Sequence, residues 1–261
     1  MPEKARLTIP DLAGKKVLIT GASIGIGAAV ARAFGEQGAH VAVHYHTSAA
    51  PAAEVARDIE ASGGKAVLVK GDVSDMATTA GIVEEAAAAL GGLDGLINNA
   101  GHMLGRLPYV EVSDEHYDRV MDLNSRSMFV ACRAAIPHLR KSADSFIIST
   151  TSIAARNGGG GGALIYAASK GFVSTLTRGL AKELIGSGIR VNAVSPGIID
   201  TRFHEVYSTA AQMAAMLATI PQGRVGTSED CVGAFLFLAS ASLSGYMIGQ
   251  ILEVSGGQIL P

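Results

Sequence analysis

The octapeptide Thr20-Gly21-Ala22-Ser23-Ile24-Gly25-Ile26-Gly27 joins an apolar run to a helical pattern. The run Val17-Leu18-Ile19 before it is typical of a strand buried on both faces, and Ile26–Gln37 has helical periodicity. Glycine here permits a tight turn, close approach of the backbone to a pyrophosphate and close packing of the helix on the strand. The helix N-terminus also offers free N–H groups to an anion. The sequence therefore predicts a nucleotide-binding strand–turn–helix unit, with an ordinary glycine-rich turn as the alternative.

Beyond this unit, β-rich runs alternate with helical patterns along the whole chain. The predicted strands are Lys16–Thr20, His40–Tyr45, Ala66–Lys70, Gly95–Asn98, Ser145–Thr150, Arg190–Val194 and Gln250–Val254. The predicted helices are Ile26–Gln37, Ala50–Ser62, Asp75–Leu90, Ser113–Ser142, Ile165–Gly186 and Ser228–Ala239. Such alternation implies right-handed crossovers. We therefore expect an α/β protein: a single Rossmann-type domain over residues 1–261, with a doubly wound parallel sheet of about seven strands and helices on both faces.

Composition and charge narrow the class of protein. With 48% hydrophobic and 17% charged residues in 261, the chain is neither disordered nor too short for a sizeable core. The formal net charge of −2 and the lack of a Lys/Arg-rich run argue against a nucleic-acid partner. Met1–Pro10 has no apolar region of the kind found in signal peptides. Cys132 and Cys231 have no partners at metal-binding spacing, so we expect buried thiols and no metal site.

One segment tests whether the chain could enter a membrane. Cys231–Leu252 carries no charge over a length that could span a bilayer. However, Ser240, Ser242, Ser244 and Gly245 cluster in its middle, as turn residues do. We interpret it as a helix, a loop and a short strand, and expect a cytoplasmic protein without a membrane partner.

The spacing T-G-x-x-x-G-I-G departs from the common G-x-G-x-x-G and resembles the short-chain dehydrogenase/reductase family. Further segments resemble the family's motifs in the family's order. They are Gly71-Asp72-Val73, Asn98-Asn99-Ala100-Gly101, Pro196-Gly197-Ile198-Ile199-Asp200-Thr201 and Ser255-Gly256-Gly257. The resemblance implies an NAD(P)(H)-dependent oxidoreductase that interconverts a ketone and a secondary alcohol, and a homotetramer.

The resemblance also implies which residues contact the cofactor. In chain order they are Gly21, Ser23, Ile24, Gly25, Ile26, Gly27, Tyr45, His46, Thr47, Ser48, Asp72, Val73, Asn98, Ala100, Gly101, Tyr166, Lys170, Pro196, Gly197, Ile199 and Thr201. An acidic residue at the end of the second strand would bind the ribose hydroxyls of NAD. Tyr45 stands there instead, followed by the donors of His46, Thr47 and Ser48, which favours NADP(H) over NAD(H). Against this, Ile24 replaces the Arg or Lys that NADP-binding relatives often carry.

Tyr166 and Lys170 are four residues apart in a helical pattern and therefore project from one face. A phenol can give a proton to a carbonyl oxygen as hydride arrives, and a phenolate can take one back in reverse. A nearby ammonium favours the phenolate and lowers the tyrosine pKa. Tyr166 is therefore the candidate acid/base, and the resemblance gives Lys170 a second role on the cofactor ribose.

Ser152 is the candidate donor to the substrate oxygen. It lies fourteen residues before Tyr166, where the family commonly has thirteen, and Thr151 lies fifteen before. Ser152 is favoured because the five glycines of Gly158–Gly162 can absorb an inserted residue. The resemblance assigns Asn124 to a proton relay through water, whereas the alternative is a polar kink in its helix.

The substrate loop is expected at about 200–221, with His102, Met103 and Leu104 lining the same pocket. Its apolar side chains form either a lid over a fairly apolar substrate or a helix packing on its own side. They are Phe203, Tyr207, Met213, Met216 and Leu217. Ile220-Pro221-Gln222-Gly223-Arg224 resembles 3-oxoacyl-ACP reductase-like members.

Two other functions fit the same scaffold. They are a non-catalytic nucleotide-binding regulatory protein, and a lyase or epimerase with transient hydride transfer. For the assembly, Leu176, Leu180 and Leu184 make one apolar stripe that is expected to pair between subunits.

Overall fold

The computed structural model describes residues 8–260, except for the side chain of His204. Its strands are β1 (Lys16–Ile19), β2 (His40–Tyr45), β3 (Lys65–Lys70), β4 (Gly95–Asn98), β5 (Ser145–Thr150), β6 (Ile189–Pro196) and β7 (Ile251–Val254). Its α-helices are α1 (Gly25–Glu36), α2 (Ala49–Ala61), α3 (Met76–Leu90), α4 (Asp114–Met121), α5 (Ser127–Leu139), α6 (Ala154–Asn157), α7 (Leu164–Leu184), α8 (Arg202–Tyr207), α9 (Ala210–Leu217), α10 (Ser228–Ala239) and α11 (Ala241–Ser244). Residues 1–7, which include most of the segment tested for a signal peptide, lie outside the described part.

All seven strands form one parallel sheet in the order β3-β2-β1-β4-β5-β6-β7. The predicted sheet is confirmed, and each predicted strand lies within two residues of its observed bounds. The chain order reverses between β1 and β4, which are hydrogen-bonded neighbours. A parallel sheet of this kind binds ligands outside the carboxyl ends of its strands at such a reversal.

Helices cover both faces of the sheet and bury its strands. On one face Phe34 of α1, Ile59 of α2 and Phe235 of α10 pack on the sheet. On the other face Ile82 of α3 and Leu139 of α5 do the same. Strands covered on both faces carry apolar side chains on both sides, which is why their sequences show runs rather than alternation.

The predicted helix Ser113–Ser142 is interrupted. A π-helical turn over Asp122–Arg126 separates α4 from α5, and α5 ends at Leu139. The side-chain amide of Asn124 donates to the carbonyl of Val120 at 2.9 Å, so a side chain takes up a carbonyl that the widened turn frees. Periodicity does not reveal such a turn, because one extra residue shifts the pattern only slightly.

The leucine stripe expected between subunits belongs to the chain's own core, which corrects that argument. Leu184 is buried, and Leu176 and Leu180 pack against the cluster formed by α3, α5 and α7. The two cysteines are buried free thiols. The uncharged segment forms α10, α11 and β7, and within residues 8–260 no helix is long and apolar enough to cross a membrane.

Candidate active site

A cleft of about 1070 Å³ opens at the carboxyl ends of the strands, where the chain order reverses. Its floor is the glycine-rich turn after β1 and the segments after β4 and β5. One end is bounded by the residues after β2, and the other by α8 and α9. The cleft is therefore long enough to hold an extended ligand beside a smaller one.

Three glycines shape the turn between β1 and α1. Gly21 and Gly25 have φ of +64° and +57°, angles that residues with a side chain rarely adopt. A Cβ on Gly27 would lie 2.2 Å from the carbonyl oxygen of Gly21, so only glycine lets α1 pack this closely on the turn. Ile24 at the N-cap makes no side-chain cap, which leaves the first N–H groups of α1 for an anion.

His44 links this turn to the neighbouring strand end. It is buried on β2, accepts a hydrogen bond from Gly21 N–H at Nδ1 (3.0 Å) and donates from Nε2 to the carbonyl of Gly71 (3.1 Å). These partners define a neutral imidazole with its proton on Nε2. Burial, together with the nearby His46, lowers the pKa of His44 to about 4, although the Gly71 carbonyl and Asp72 oppose the shift.

The residues after β2 form the end of the cleft next to His44. Tyr45, His46, Thr47 and Ser48 all line it, and the described residues of this wall include no carboxylate from β2 itself. Asp72 reaches across from the loop after β3, 3.9 Å from the His46 ring and hydrogen-bonded to Ser74.

The segment after β4 lies under the centre of the cleft. Asn99 lines it and binds the carbonyls of Thr20 and Gly21 through its amide, 3.1 Å to each. Asn98, the residue expected to contact a cofactor, points into the core and donates to Cys132 and Ser149. The side chain that faces the cleft here is therefore Asn99, since successive residues of a strand point to opposite sides.

Tyr166, Ser152 and Lys170 meet at the base of the cleft. Tyr166 and Lys170 lie on one face of α7, with the Lys170 ammonium 5.7 Å from the centre of the tyrosine ring. Ser152, in the turn after β5, is hydrogen-bonded to the Tyr166 hydroxyl and also accepts from Ala154 N–H. Lys170 is buried and donates to the carbonyl of Thr150 at 2.9 Å. A hydroxyl pair thus faces the cleft with a lysine beneath it.

Burial dominates the acidities in this group. It raises the pKa of Tyr166 to about 12, against the hydrogen bond from Ser152, and it lowers the pKa of Lys170 to about 8. The lysine was expected to lower the tyrosine pKa, but burial dominates the shift here and the net change is upward. Tyr166 is accordingly a protonated phenol at neutral pH, ready to donate.

Thr151, the alternative to Ser152, lies differently. Its hydroxyl donates to the carbonyl of Lys170 at 2.9 Å and shares a hydrogen bond with Ser174, so it joins β5 to α7. The hydroxyl bonded to Tyr166 is that of Ser152. In the glycine run after α6, Gly158, Gly159 and Gly162 all have positive φ.

Asn124 lies behind the cleft in the π-helical turn and is buried. Its Nδ2 donates to the carbonyls of His102 and Val120, and its Oδ1 accepts from His102 N–H. A Cβ on Gly101 would lie 2.7 Å from the Asn124 Oδ1 and 3.1 Å from the Lys170 Nζ. Gly101 therefore leaves a gap that both polar atoms border.

The segment expected to be the substrate loop bounds the far end of the cleft with the aromatic ring of Phe203. The Phe203 ring lies 5.4 Å from the rings of both Tyr166 and Tyr207, and 6.0 Å from that of His102. The Tyr207 hydroxyl is hydrogen-bonded to His102 Nδ1. Arg106 anchors this segment, because its Nε donates a hydrogen bond to the carbonyl of Tyr207 at 2.7 Å. Of the five apolar side chains expected in a lid, Phe203 and Met216 line the cleft.

Most of the residues expected at the site line the cleft, and three do not. Gly27, Asn98 and Asn124 lie behind its wall. Sequence reasoning missed Asn99, His44 and Arg106. Asn99 stood in a recognised motif, but nothing in the sequence indicated that His44 contacts the glycine turn or that Arg106 contacts residues 161 and 207.

Comparison with known proteins gives the family. The family model described as enoyl-(acyl carrier protein) reductase matches residues 21–258. The chain is 39% identical over 252 residues to 3beta-hydroxysteroid dehydrogenase 1 of Eggerthella lenta, which covers 96% of this chain and 95% of that protein. The crystal structure of NADH-dependent reductase A1-R' complexed with NAD superposes with a TM-score of 0.88 at 40% identity, covering 97% of this chain and 100% of the other.

A second structure was solved with the other nicotinamide cofactor. The short-chain dehydrogenase from Burkholderia cenocepacia J2315 in complex with NADP has a TM-score of 0.88 and 34% identity, over 95% of this chain and 98% of the other. These similarities extend over nearly the whole sequence and agree with the observed fold. The chain belongs to the short-chain dehydrogenase/reductase family of oxidoreductases.

Proposed function

We propose that this chain is an NAD(P)(H)-dependent oxidoreductase that interconverts a ketone and a secondary alcohol. The observation that carries the proposal is the meeting of Tyr166, Ser152 and Lys170 at the base of a cleft whose floor is the glycine-rich turn. The whole chain, residues 1–261, would act as one catalytic domain with its substrate loop at about 200–221, and would work as a homotetramer in the cytoplasm.

The shape of the cleft supports a dinucleotide cofactor. Gly21, Gly25 and Gly27 remove the Cβ atoms that would fill the turn, and the uncapped N-terminus of α1 offers N–H donors to the pyrophosphate. Lys170 would hydrogen-bond the nicotinamide ribose, with the ring of Tyr166 in contact beside it. When bound, the reduced nicotinamide supplies the hydride.

Side chains of the protein transfer the proton and stabilise the negative charge that develops on the substrate oxygen. Ser152 donates to the substrate oxygen and holds it against Tyr166, which gives that oxygen its proton; in the reverse direction the phenolate accepts it. The lysine ammonium stabilises the phenolate in that direction. Asn124 and Lys170 border the gap at Gly101, where a water would join them in a relay that returns a proton to Tyr166.

The residues after β2 favour NADP(H) over NAD(H). Tyr45 occupies the position of the ribose-binding acid, and His46, Thr47 and Ser48 offer donors to a 2′-phosphate. Relatives of the same fold have been solved with either cofactor.

The test offers the protein a panel of ketones, with enoyl thioesters for comparison. Turnover is measured as the change in absorbance of the reduced cofactor, with NADPH and NADH in separate assays. We expect net oxidation of cofactor with a ketone. A regulatory protein would bind cofactor without consuming it, and a lyase or epimerase would convert substrate without a net change in cofactor. Either result would refute the oxidoreductase proposal.

A further inference from the structure

The substrate end of the cleft has more arginine side chains than carboxylates to pair with them. Arg106, Arg119 and Arg202 line it. Among the described residues that line the cleft only Asp72 and Asp122 are acidic, and Asp72 lies at the His46 end. The Asp122 carboxylate lies 2.6 Å from Arg126 and is paired there. The substrate end is therefore electropositive and attracts anions.

Arg106 is the most enclosed of the three arginines. It is partly buried, and its Nε and Nη1 donate to the carbonyls of Tyr207 (2.7 Å) and Gly161 (3.0 Å). A guanidinium has five N–H donors, so these neutral acceptors occupy only part of its capacity. Within residues 8–260 no carboxylate lies at ion-pair distance from it, and burial lowers its pKa. A desolvated cation without a counter-ion is costly unless a bound anion completes the site.

The glycine run sets the position of this arginine. A Cβ on Gly162 would lie 2.9 Å from both the Cβ of Arg106 and the backbone nitrogen of Leu107, which donates to the Gly162 carbonyl. The run after α6 therefore holds Arg106 against the substrate loop. Arg202 on that loop lies close enough to His102 for its charge to lower the pKa of the imidazole, after the larger effect of burial.

We propose that the substrate is an oxo acid, a short aliphatic carbonyl compound whose carboxylate binds Arg106. This rests on the proposed function. The planar guanidinium matches a carboxylate and holds it in a fixed orientation. Met103, Leu104, Phe203 and Met216 line the same cleft as Arg106 and Tyr166, and their apolar groups fit the aliphatic body. Arg119 and Arg202 are exposed, and their positive charges attract the anion to the cleft. A phosphate would present the same charge, and the experiment separates the two anions.

The test compares matched acids and neutral esters with saturating cofactor. The pairs are acetoacetate, levulinate and 5-oxohexanoate, each with its methyl ester, and dihydroxyacetone phosphate with dihydroxyacetone. We expect kcat/KM for at least one acid to exceed that of its ester tenfold or more. Arg106→Gln should lower this ratio at least tenfold, Arg106→Lys should keep part of it, and Arg140→Gln, which removes an exposed arginine outside the cleft, should leave it unchanged.

The ratio separates anion binding from the structural role of Arg106, because loss of the Tyr207 and Gly161 contacts would lower acid and ester turnover equally. A binding readout is added: calorimetric titration of glutarate into the protein saturated with NADP⁺, with at least tenfold weaker binding expected for Arg106→Gln.

Esters reduced as well as acids, an acid/ester ratio unchanged by Arg106→Gln, or a preference for the phosphate would overturn the oxo acid while the oxidoreductase stands. If no ketone is reduced, the proposed function fails, and glutarate binding still decides the anion site: Arg106-dependent binding supports it and no binding refutes it.

Discussion

At the residue scale, Tyr166 combines a hydroxyl pointed at Ser152 with a ring packed beside Phe203. Tyr166→Phe removes the proton donor and keeps the ring. We expect turnover to fall by about 10²–10⁴-fold, since that is the usual contribution of a positioned acid or base. The cofactor dissociation constant, measured by fluorescence of the reduced nicotinamide, should stay nearly unchanged. Near-normal turnover would exclude Tyr166 as the acid/base.

Tyr45 is the residue on which the cofactor preference depends. Tyr45→Asp places a carboxylate where a 2′-phosphate would bind, in a partly dry groove that screens charge weakly. The same carboxylate can accept hydrogen bonds from the two ribose hydroxyls of NAD. We expect the NADP/NAD ratio of specificity constants to fall at least tenfold, about 1.4 kcal/mol. If the unaltered protein already prefers NAD(H), the absence of a basic residue at Ile24 decides the preference, and our interpretation of Tyr45 is wrong.

His44 makes the stability of the glycine turn depend on pH. The pKa of His44 is about 4 in the folded chain, whereas an unperturbed histidine in the unfolded chain has a pKa of 6.5. Below pH 6.5 the unfolded chain therefore takes up a proton that the folded chain does not. The free energy of unfolding therefore falls from pH 6.5 down to pH 4, by about 3 kcal/mol from this group. Protonation would also put two donors, Nδ1–H and Gly21 N–H, face to face.

Urea unfolding of the unaltered protein and of His44→Gln between pH 7 and pH 4 isolates this contribution, because the carboxylates contribute equally to both. The unaltered protein should lose more stability over that interval than the variant. Parallel curves would show that His44 does not bring about the acid sensitivity.

At the scale of elements, Gly27 sets how closely α1 approaches the glycine turn. In Gly27→Ala the new methyl would lie 2.2 Å from the Gly21 carbonyl oxygen and 2.5 Å from the Asn99 amide nitrogen, so the helix must move. We expect the free energy of unfolding to fall by about 1–3 kcal/mol and cofactor binding to weaken at least tenfold. Gly81→Ala in α3, where a Cβ meets nothing within 4 Å, is the control. It should be neutral or stabilising by up to about 1 kcal/mol.

Some of these elements could be predicted from the sequence alone and others could not. The strands were predictable because burial on both faces forces apolar runs, as in Phe146-Ile147-Ile148. The π-helical turn at Asn124 was not, because a backbone carbonyl and a side chain from residues 102 and 124 define it together. The same holds for Arg106, whose two carbonyl partners lie 55 and 101 residues away.

At the scale of the whole molecule, two of the helices carry some of the exposed large apolar side chains. Phe129 of α5 and Leu164 and Phe172 of α7 are exposed although neighbouring residues of these helices form the core. If these groups form one patch, its size would suit a surface that a second copy of the chain covers. These residues, rather than Leu176, Leu180 and Leu184, now support pairing of α5 and α7 between copies of the chain.

We therefore expect light scattering at micromolar concentration to give the mass of four chains. Phe129→Glu and Phe172→Glu each place a charge at the proposed contact, where pairing would remove it from water, and should shift the protein to smaller species. Leu68→Glu, at an exposed leucine on β3 at the opposite edge of the sheet from β7, should leave the mass unchanged. A monomeric unaltered protein would contradict the tetramer, and a tetramer that survives both phenylalanine substitutions would move the contact to another surface.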